Sequence, residues 1–298
     1  MASTLSKGSL FPETLVADMV SLVRGKSSLA RLSGSEPLPF NGAEVFTFNF
    51  DNEVALVGEN GAKSNGGGSI TPVHMNPVKV EYGMRVSDEF KYAAEEVQLQ
   101  YLKAFAEGFA KKVARGLDIM AFHGVDPRTG NTAAILAGKN FDDVVTNKVI
   151  YDATAPDANV TAAIALIEAA EHETTGMAMA PAFKTALASM KAGTSSNEPL
   201  FPELGWGSTA SSLRGLPVDT NSTVSANSND DRAIVGNFAD YFKWGYSKNI
   251  PIEVIEYGNP DNSQDGDLKG HNQVYLRGEA YLGWGILTKD AFARVAVQ

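Results

Sequence analysis

The chain has 298 residues, of which 35 are acidic and 25 basic, so its formal net charge is −10. A chain of this length can bury a large core, and its content of 20% charged residues is ordinary for a folded protein. The absence of cysteine excludes disulfide bonds, thiolate nucleophiles and cysteine-based zinc sites. The acidic balance excludes a broadly basic nucleic-acid-binding surface, so any contact with DNA is expected to be local and weak.

No segment has the composition of a membrane span or an export signal. No run approaches the roughly 20 apolar residues that cross a bilayer. Pro12, Glu13 and Asp18 interrupt the N-terminal stretch where a signal peptide would place its apolar region. We therefore expect a soluble protein made in the cytoplasm, with no membrane partner.

Residues 1–42 combine a helical pattern with an extended segment. Phe11, Leu15 and Met19 recur at the spacing of one helix face, and glycines and prolines between residues 25 and 39 then break the pattern. The sequence predicts a short amphipathic helix followed by an extended arm. Because the apolar face of that helix must be covered, these three residues are candidate contacts with the body of the chain or with a neighbouring subunit.

Residues 43–86 have the pattern of a long β-hairpin. Phe46, Phe48 and Phe50 alternate with polar residues, which is typical of a strand with one aromatic face, and a second alternation covers 78–86. The glycine-rich segment Gly58–Ser69 between them predicts a flexible polar tip. A two-stranded arm is marginally stable alone, so we expect it to lie on another subunit. The candidate contact residues in the tip are Gly58, Lys63, Gly66, Gly67 and Gly68.

Residues 87–121 carry the strongest helical pattern in the chain. Ser87 or Asp88 is a suitable N-cap, no proline follows, and Gly124 lies near the expected C-cap. Such a helix is about 50 Å long at 1.5 Å per residue. Its apolar residues recur at a spacing that drifts by about 40° per step, which predicts a buried stripe that spirals around the axis. The stripe consists of Val97, Tyr101, Phe105, Phe109, Val113, Leu117 and Ala121.

The remainder of the chain predicts mixed helices and strands. Helices are expected over 158–173 and 181–191, and Pro181 opens the second at the position where proline is favoured. The chain is therefore assigned to the α+β class, with no internal repeat. Predicted strands lie at 177–180, 215–219, 233–238, 241–246, 252–255, 273–280, 283–287 and 292–297.

The order of these elements, together with several short motifs, carries a resemblance to a known family. An arm, a glycine-tipped hairpin and a very long helix precede a compact α/β part. In this order and spacing the sequence resembles the HK97-like major capsid proteins of tailed bacteriophages. The motifs that match the family are Leu117–Gly130, Ala134–Gly138, Met179–Lys191, Leu213–Val218, Ile234–Phe238, Asn272–Ala280 and Leu287–Arg294.

The resemblance implies an HK97-like capsid fold whose parts follow one another along the chain. It implies an N-terminal arm over 1–42, an extended β-hairpin called the E-loop over 43–86, and a spine helix with the first part of a P-domain over 87–150. An α/β A-domain would occupy 151–280, and 281–298 would return to the P-domain.

The resemblance also implies a function and partners. Members of the family self-assemble as hexamers and pentamers into an icosahedral shell around phage DNA, so the implied location is the virion, assembled in the host cytoplasm. Implied partners are further copies of the chain, a portal and, in some members, a decoration protein. Many members carry a fused scaffolding segment ahead of the arm. Since Met1 lies only a few dozen residues before the hairpin, we expect a separate scaffolding protein or none.

The pattern of reactive residues predicts neither catalysis nor a cofactor. The histidines lack the spacing that places two metal ligands on one helix face, and we interpret them as surface polar residues. Adjacent acidic pairs at 142–143 and 230–231 diverge on any regular element, and we interpret them as solvated charge. The four histidines are His74, His123, His172 and His271.

One loop has part of a calcium-binding pattern. Asp261, Ser263 and Asp265 place oxygens at the first, third and fifth positions, and Gly266 stands at the sixth. Asn272 stands at the twelfth position, where such a loop needs a bidentate carboxylate. An exposed acidic loop is therefore the preferred interpretation, and a metal site the weaker one.

Three further hypotheses stay open at this point. Lys63 in the hairpin tip could form an isopeptide crosslink of the kind some HK97-like shells contain, although a solvated lysine is the preferred interpretation. The chain could instead be an encapsulin-like nanocompartment shell that encloses enzymes. An unrecognised hydrolase or calcium-binding enzyme is the third alternative, and the missing constellations of residues disfavour it.

Overall fold

The structure is a computed structural model that describes residues 26–193, 196–205, 210–226, 231–246 and 252–297. It is a mixed α+β fold, as predicted, with two larger sheets and a separate hairpin. The helices are α1 (Ser28–Leu32), α2 (Glu95–His123), α3 (Phe141–Val144), α4 (Pro156–Glu168), α5 (Pro181–Ala188) and α6 (Phe238–Tyr241). The strands are β1 (Ser35–Pro37), β2 (Ala43–Phe50), β3 (Gly68–Met75), β4 (Val78–Ser87), β5 (Lys148–Ile150), β6 (Gly176–Met179), β7 (Ser212–Leu213), β8 (Leu216–Thr220), β9 (Asp231–Gly236), β10 (Phe242–Tyr246), β11 (Ile252–Ile255), β12 (Gln273–Ile286) and β13 (Phe292–Ala296).

The hairpin is formed by β2 and β3, and its return strand differs from the prediction. Phe48 pairs with Ile70 in an antiparallel register that runs from Ala43 to Phe50. The segment predicted as the return strand is β4, which pairs with β12 instead. The reason is burial, because Val78 and Val80 of β4 pack against the main core, and a free hairpin could not cover them.

The long helix α2 begins later than predicted and ends where expected. Ser87 caps a short 3₁₀ turn over Asp88–Tyr92, with its Oγ accepting from the amide of Glu89 at 3.3 Å. The α-helix starts at Glu95 and has 29 residues, roughly 43 Å at 1.5 Å per residue. Gly124 closes it with φ at +64°, a left-handed conformation in which glycine carries no Cβ penalty.

The predicted stripe on α2 is buried along most of its length but exposed at its start. The five positions from Phe105 to Ala121 lie in the core. Val97 and Tyr101 are 40% and 56% exposed, so the prediction is wrong for these two. The ring of Phe90 packs edge-on against Tyr101, with centroids 5.9 Å apart, but leaves more than half of Tyr101 exposed.

The five-stranded sheet is organised around β12. Its order is β1-β10-β12-β11, and β4 also pairs with β12. Two strands were predicted over 273–287, but β12 is continuous for 14 residues. Its glycines permit close packing and do not break the strand. A Cβ on Gly283 would lie 2.3 Å from Leu38, and one on Gly278 would lie 3.0 Å from Phe109.

The six-stranded sheet has the order β5-β13-β9-β6-β8-β7. Phe183 of α5 and Ile167 of α4 cover one face in a second core cluster. The predicted helices 158–173 and 181–191 correspond to α4 and α5, and each ends a few residues earlier than expected.

Each of the two larger sheets combines strands from different predicted segments. β10 and β11 lie in the predicted A-domain range, yet they join β4 in the five-stranded sheet. β5 and β13, predicted to belong with the P-domain, join β6 and β9 in the six-stranded sheet. β13 is buried throughout and pairs with β5 along one edge and with β9 along the other. No helix in the described ranges is long and apolar enough to span a membrane.

Candidate assembly surfaces

The hairpin presents an aromatic face that no described residue covers. Phe46, Phe48 and Phe50 are 56%, 62% and 81% exposed, and the register places Ile70 and Pro72 on the same face opposite them. We call these five residues the hairpin face. Contiguous exposed apolar surface of this kind marks an interaction site in a folded protein.

The segment that joins β2 to β3 carries the candidate tip residues. Gly58 accepts a hydrogen bond from the amide of Gly61 at 2.9 Å in a turn, and Lys63 and Gly66 are exposed. Gly67 lies against Asp51, whose carboxylate would be 2.7 Å from an added Cβ. Gly68 is the first residue of β3 and pairs with Phe50, so it is part of the strand. The predicted contact residues Phe11, Leu15 and Met19 lie outside the described residues.

The hairpin is attached to the body only at its base. Met75 is buried, and it lies with Val73 against Gly285 of β12, where an added Cβ would be 2.9 and 3.1 Å from their side chains. Toward the tip, β2 and β3 bond only each other among the described residues. The hairpin is therefore anchored at its base and presents its aromatic face toward its tip.

A second exposed apolar surface lies where α2 begins. It comprises Val97, Leu99 and Tyr101 on the helix with Tyr82 and Met84 on β4, all exposed. We call it the helix-start patch. The ring of Tyr82 lies 6.5 Å from that of Phe105, the first buried stripe residue, so the patch continues the core outward to the surface. Both surfaces are suited to burial by another molecule.

The start of the described chain, at Ser27–Leu29, is fixed to the body by a buried carboxylate that was not predicted from the sequence. We call this segment the arm root. Asp118 of α2 accepts hydrogen bonds from the amides of Ser28 and Leu29 at 2.9 and 3.2 Å and from the hydroxyl of Ser27. It also accepts from Thr223 Oγ1 at 2.9 Å. Burial raises the pKa of Asp118 to about 6, and these hydrogen bonds partly offset that rise. The available signal was a carboxylate next to Leu117 inside an apolar stretch.

A second buried polar cluster corrects two interpretations from the sequence. The side chain of His123 is fully buried, and Asp142 and Asp231 are largely or fully buried beside it. They are neither surface polar groups nor solvated charge. Arg294 lies between the two carboxylates, 2.6 Å from Asp142 and 3.0 Å from Asp231. We call these four residues the buried tetrad.

The geometry assigns one proton in the tetrad. Nε2 of His123 lies 3.0 Å from the carbonyl of Thr223, and since a carbonyl only accepts, Nε2 carries a proton. Nδ1 faces Asp142 Oδ2 at 3.0 Å. Burial lowers the pKa of His123, but the hydrogen bond and charge of Asp142 outweigh burial and leave that pKa raised. Burial raises the pKa of Asp231 to about 6.

The tetrad has metal-type ligands but holds its own cation. Ligand atoms of His123, Asp142 and Asp231 lie within 4.8 Å of one another. The guanidinium of Arg294 already occupies the space between the carboxylates and compensates their charge. The cluster therefore joins the end of α2, the start of α3, β9 and β13 as a structural network.

The calcium-like loop is organised by an arginine. Asp261 receives two hydrogen bonds from Arg85, at 2.6 and 2.9 Å, and this pairing lowers the pKa of Asp261 to about 2. Ser263 donates to Asp265 at 3.0 Å. Arg85 also donates to the carbonyl of Gly266 at 2.9 Å. The oxygens of Asp261 that would bind a cation face the guanidinium, which favours an acidic surface loop.

The remaining histidines have separate surroundings. His74 pairs with Glu44 across the hairpin at 3.0 Å, and His172 packs edge-on against Tyr241 with ring centroids 4.9 Å apart. His271 is exposed. The structure brings none of these three together with the tetrad.

A body of two sheets and a long helix, with an exposed apolar hairpin, is typical of a structural protein that assembles into larger particles. A model of the phage capsid family matches residues 7–297, and the chain belongs to that family. It is a capsid shell protein and is located in the virion.

Solved capsid structures resemble this fold over most of its length. One from Mycobacterium phage Ogopogo is 33% identical, with a TM-score of 0.75 over 91% of this chain and 92% of that one. One from Gordonia phage Cozz is 23% identical, with a TM-score of 0.73 over 91% and 86%. A "Capsid of empty GTA particle computed with C5 symmetry" is 14% identical, with a TM-score of 0.62 over 99% and 93%.

A comparison with curated proteins gives no match. The phage capsid family and the resemblance to phage and GTA capsids do not favour the nanocompartment alternative. The HK97-like capsid fold expected from the sequence is consistent with the family and with these structures.

Proposed function

We propose that the chain forms the hexamers and pentamers of an icosahedral shell around phage DNA, and that the hairpin face lies on a neighbouring copy. The observation that carries this proposal is the exposure of three phenylalanines on one face of β2, in a hairpin that is anchored only at its base. Burying one such side chain contributes about 1.5–3 kcal/mol. Contact with a second copy would recover that free energy.

The helix-start patch is the surface that we propose receives the hairpin. It is apolar, it adjoins the core, and aromatic residues such as Tyr82, Tyr92 and Tyr101 lie on or beside it. Tyrosine and phenylalanine are enriched in the cores of protein interfaces. A head-to-tail pairing of one copy's hairpin with the next copy's patch generates closed rings when the rotation between copies closes.

The two sheets correspond to two proposed domains. The five-stranded sheet with α2 would form the P-domain, and the six-stranded sheet with α4 and α5 the A-domain. The hairpin would be the part that reaches other subunits. Differences in the angle between subunits would be absorbed at the base of the hairpin, where Met75 lies against Gly285 of the body.

The remaining partners follow from this role. We propose that the chain acts without catalysis or a cofactor, and that it meets a portal, a separate scaffolding protein and, at the outer surface, a decoration protein. Lys63 is exposed in the tip, and we propose that it stays uncrosslinked. Denaturing gels of assembled shells showing only a monomer-sized band would agree with this assignment, and a ladder of higher bands would contradict it.

The hairpin face is tested by removing its aromatic side chains. Phe46→Ser, Phe48→Ser and Phe50→Ser together should abolish shells while leaving the fold intact, because each of the three side chains is more than half exposed. Size exclusion and electron microscopy measure assembly, and circular dichroism with thermal unfolding measures the fold. Thr71→Ser on the opposite face of the hairpin is the matched control and should assemble normally. Closed shells from the triple variant would overturn the proposed role of the hairpin face.

A further inference from the structure

The outward half of α2 carries a concentration of positive charge on an otherwise acidic chain. Between residues 103 and 115, the exposed or half-exposed charged residues are four cations and one carboxylate. At about 100° per residue, these positions cover one continuous half of the helix surface, and the other half is buried in the core. They are Lys103, Glu107, Lys111, Lys112 and Arg115.

A fifth cation joins this surface from the root of the arm. Asn221 donates to the carbonyl of Lys26 at 3.1 Å, and Arg115 donates to the hydroxyl of the next residue, Ser222, at 3.0 Å. The backbone of Lys26 therefore lies near Arg115, the last of the charged residues on α2 named above. We call the four α2 cations and Lys26 the basic strip.

The lysines of the strip are not neutralised within the described part of the chain. None of Lys103, Lys111 and Lys112 has a described carboxylate within the 4.0 Å of an ion pair. Several other cations are paired, such as Lys79 with Glu279 at 2.9 Å and Lys91 with Glu256 at 2.6 Å. The strip consequently keeps its charge available for a partner.

The composition of the strip indicates the chemistry of that partner. Ala104 and Gly108 are the uncharged residues exposed between its cations, so nothing apolar projects there except Tyr101 at one end. Protein interfaces need buried aromatic or aliphatic anchors and are poor in lysine at their centres. A polyanion needs only evenly spaced cations, and double-stranded DNA carries about one negative charge per 1.7 Å of its axis.

We propose that the basic strip is the surface of this capsid protein that contacts the phosphate backbone of enclosed DNA, without preference for sequence. The proposal rests on the proposed function as a shell around DNA. From residue 103 to 115 the helix advances about 18 Å, enough to follow several consecutive phosphates. The remaining acidic surface repels DNA, so contact is confined to the strip.

The strip should bind weakly and with strong dependence on salt. Each phosphate neutralised contributes about −0.9 to the slope of log K against log salt. Five cations therefore predict a slope near −4.5, and an affinity that falls on the order of several hundredfold between 50 and 200 mM salt. Weak contact of this kind would hold DNA near the inner surface of the shell and still allow the DNA to dissociate.

The test measures binding of a short labelled DNA duplex to the unassembled full-length chain, separated from shells by size exclusion. The variant is Lys103→Gln with Lys111→Gln and Lys112→Gln, and the matched control is Lys148→Gln with Lys191→Gln and Lys289→Gln, three exposed lysines elsewhere. The strip variant should lose about tenfold or more in affinity at 50 mM salt, and its salt slope should become shallower by about 3. The control should match the wild type.

Additional variants and a competing ligand separate the possible outcomes. Arginine at the same three positions should restore binding if charge is responsible, and unchanged circular dichroism excludes misfolding. Equal duplex binding by the strip variant and the wild type would overturn the inference. Preferential binding of a glutamate-rich peptide would also overturn it, in favour of an acidic protein partner. Shells that form from the strip variant leave the proposed function intact, whereas absence of shells from the wild type counts against the proposed function itself.

Discussion

At the scale of single residues, buried carboxylates fix how segments distant in sequence meet. Asp118 joins the arm root at Ser28 to α2 and to Thr223, residues separated from it by 90 and 105 positions. A buried carboxylate is tolerated only when hydrogen bonds surround it. Asp118 meets that condition with backbone amides and hydroxyls, so its position fixes where the arm leaves the body.

The raised pKa of Asp118 gives stability a definite dependence on pH. The folded chain binds this proton more tightly than the unfolded chain, since the pKa is about 6 against an ordinary 3.8. Its contribution to the free energy of unfolding is therefore full below about pH 4 and is lost as pH rises through about 6. The shift corresponds to on the order of 2–3 kcal/mol.

Asp118→Asn tests this linkage because asparagine does not titrate. The stability of the wild type relative to the variant should decrease between pH 4 and pH 6 and then stay constant, as measured by urea unfolding across that range. Gln100→Asn, at an exposed position of α2 without a titratable side chain, should give a difference from the wild type that does not change with pH. If the free energy of unfolding of the wild type instead rose with pH relative to that of the variant, the pKa of Asp118 would be lowered by folding, which contradicts this account.

At the scale of elements, the buried tetrad fastens the six-stranded sheet to the end of the long helix. Arg294 of β13 contacts Asp231 of β9, 63 residues away, and the backbone of Asp142 at the start of α3. His123 carries the network to α2. These contacts join α2 and α3 to two neighbouring strands of the six-stranded sheet.

Removing the arginine should destabilise the fold more than removing an exposed one. Arg294→Ala leaves two buried carboxylates without their counter-ion, which costs about 3–5 kcal/mol. Arg128→Ala in the exposed turn after α2 should change stability by less than about 0.5 kcal/mol. Thermal or urea unfolding measures both variants. Equal stability of the two variants would show that the tetrad contributes little.

Elements with local signals were predictable from sequence, and those set by distant partners were not. Gly124 at the helix end, Pro181 at a helix start and the aromatic face of β2 each follow from neighbouring residues. β3 was missed because the alternation at 78–86 was interpreted as the return strand of the hairpin, whereas that segment pairs with the distant β12. The tetrad and the Asp118 network escaped prediction because their members come together only in the folded chain.

At the scale of the whole molecule, the chain is a folded body with surfaces that its own described residues leave uncovered. The hairpin face and the helix-start patch are apolar, and the basic strip is charged, while the chain as a whole carries −10. The apolar surfaces favour contact between copies, and the net charge limits nonspecific attraction to DNA. Assembly is thus expected to depend on apolar contact between copies. The retention of DNA is expected to depend on the salt concentration.

The most direct test of this account is cryo-electron microscopy of the purified full-length chain under assembly conditions, with its scaffolding protein where the chain requires one. The account predicts closed icosahedral shells in which the phenylalanines at 46, 48 and 50 of each copy lie against the start of α2 in a neighbour. Shells in which the hairpin face remains exposed to solvent, or a folded chain that stays monomeric throughout, would contradict it.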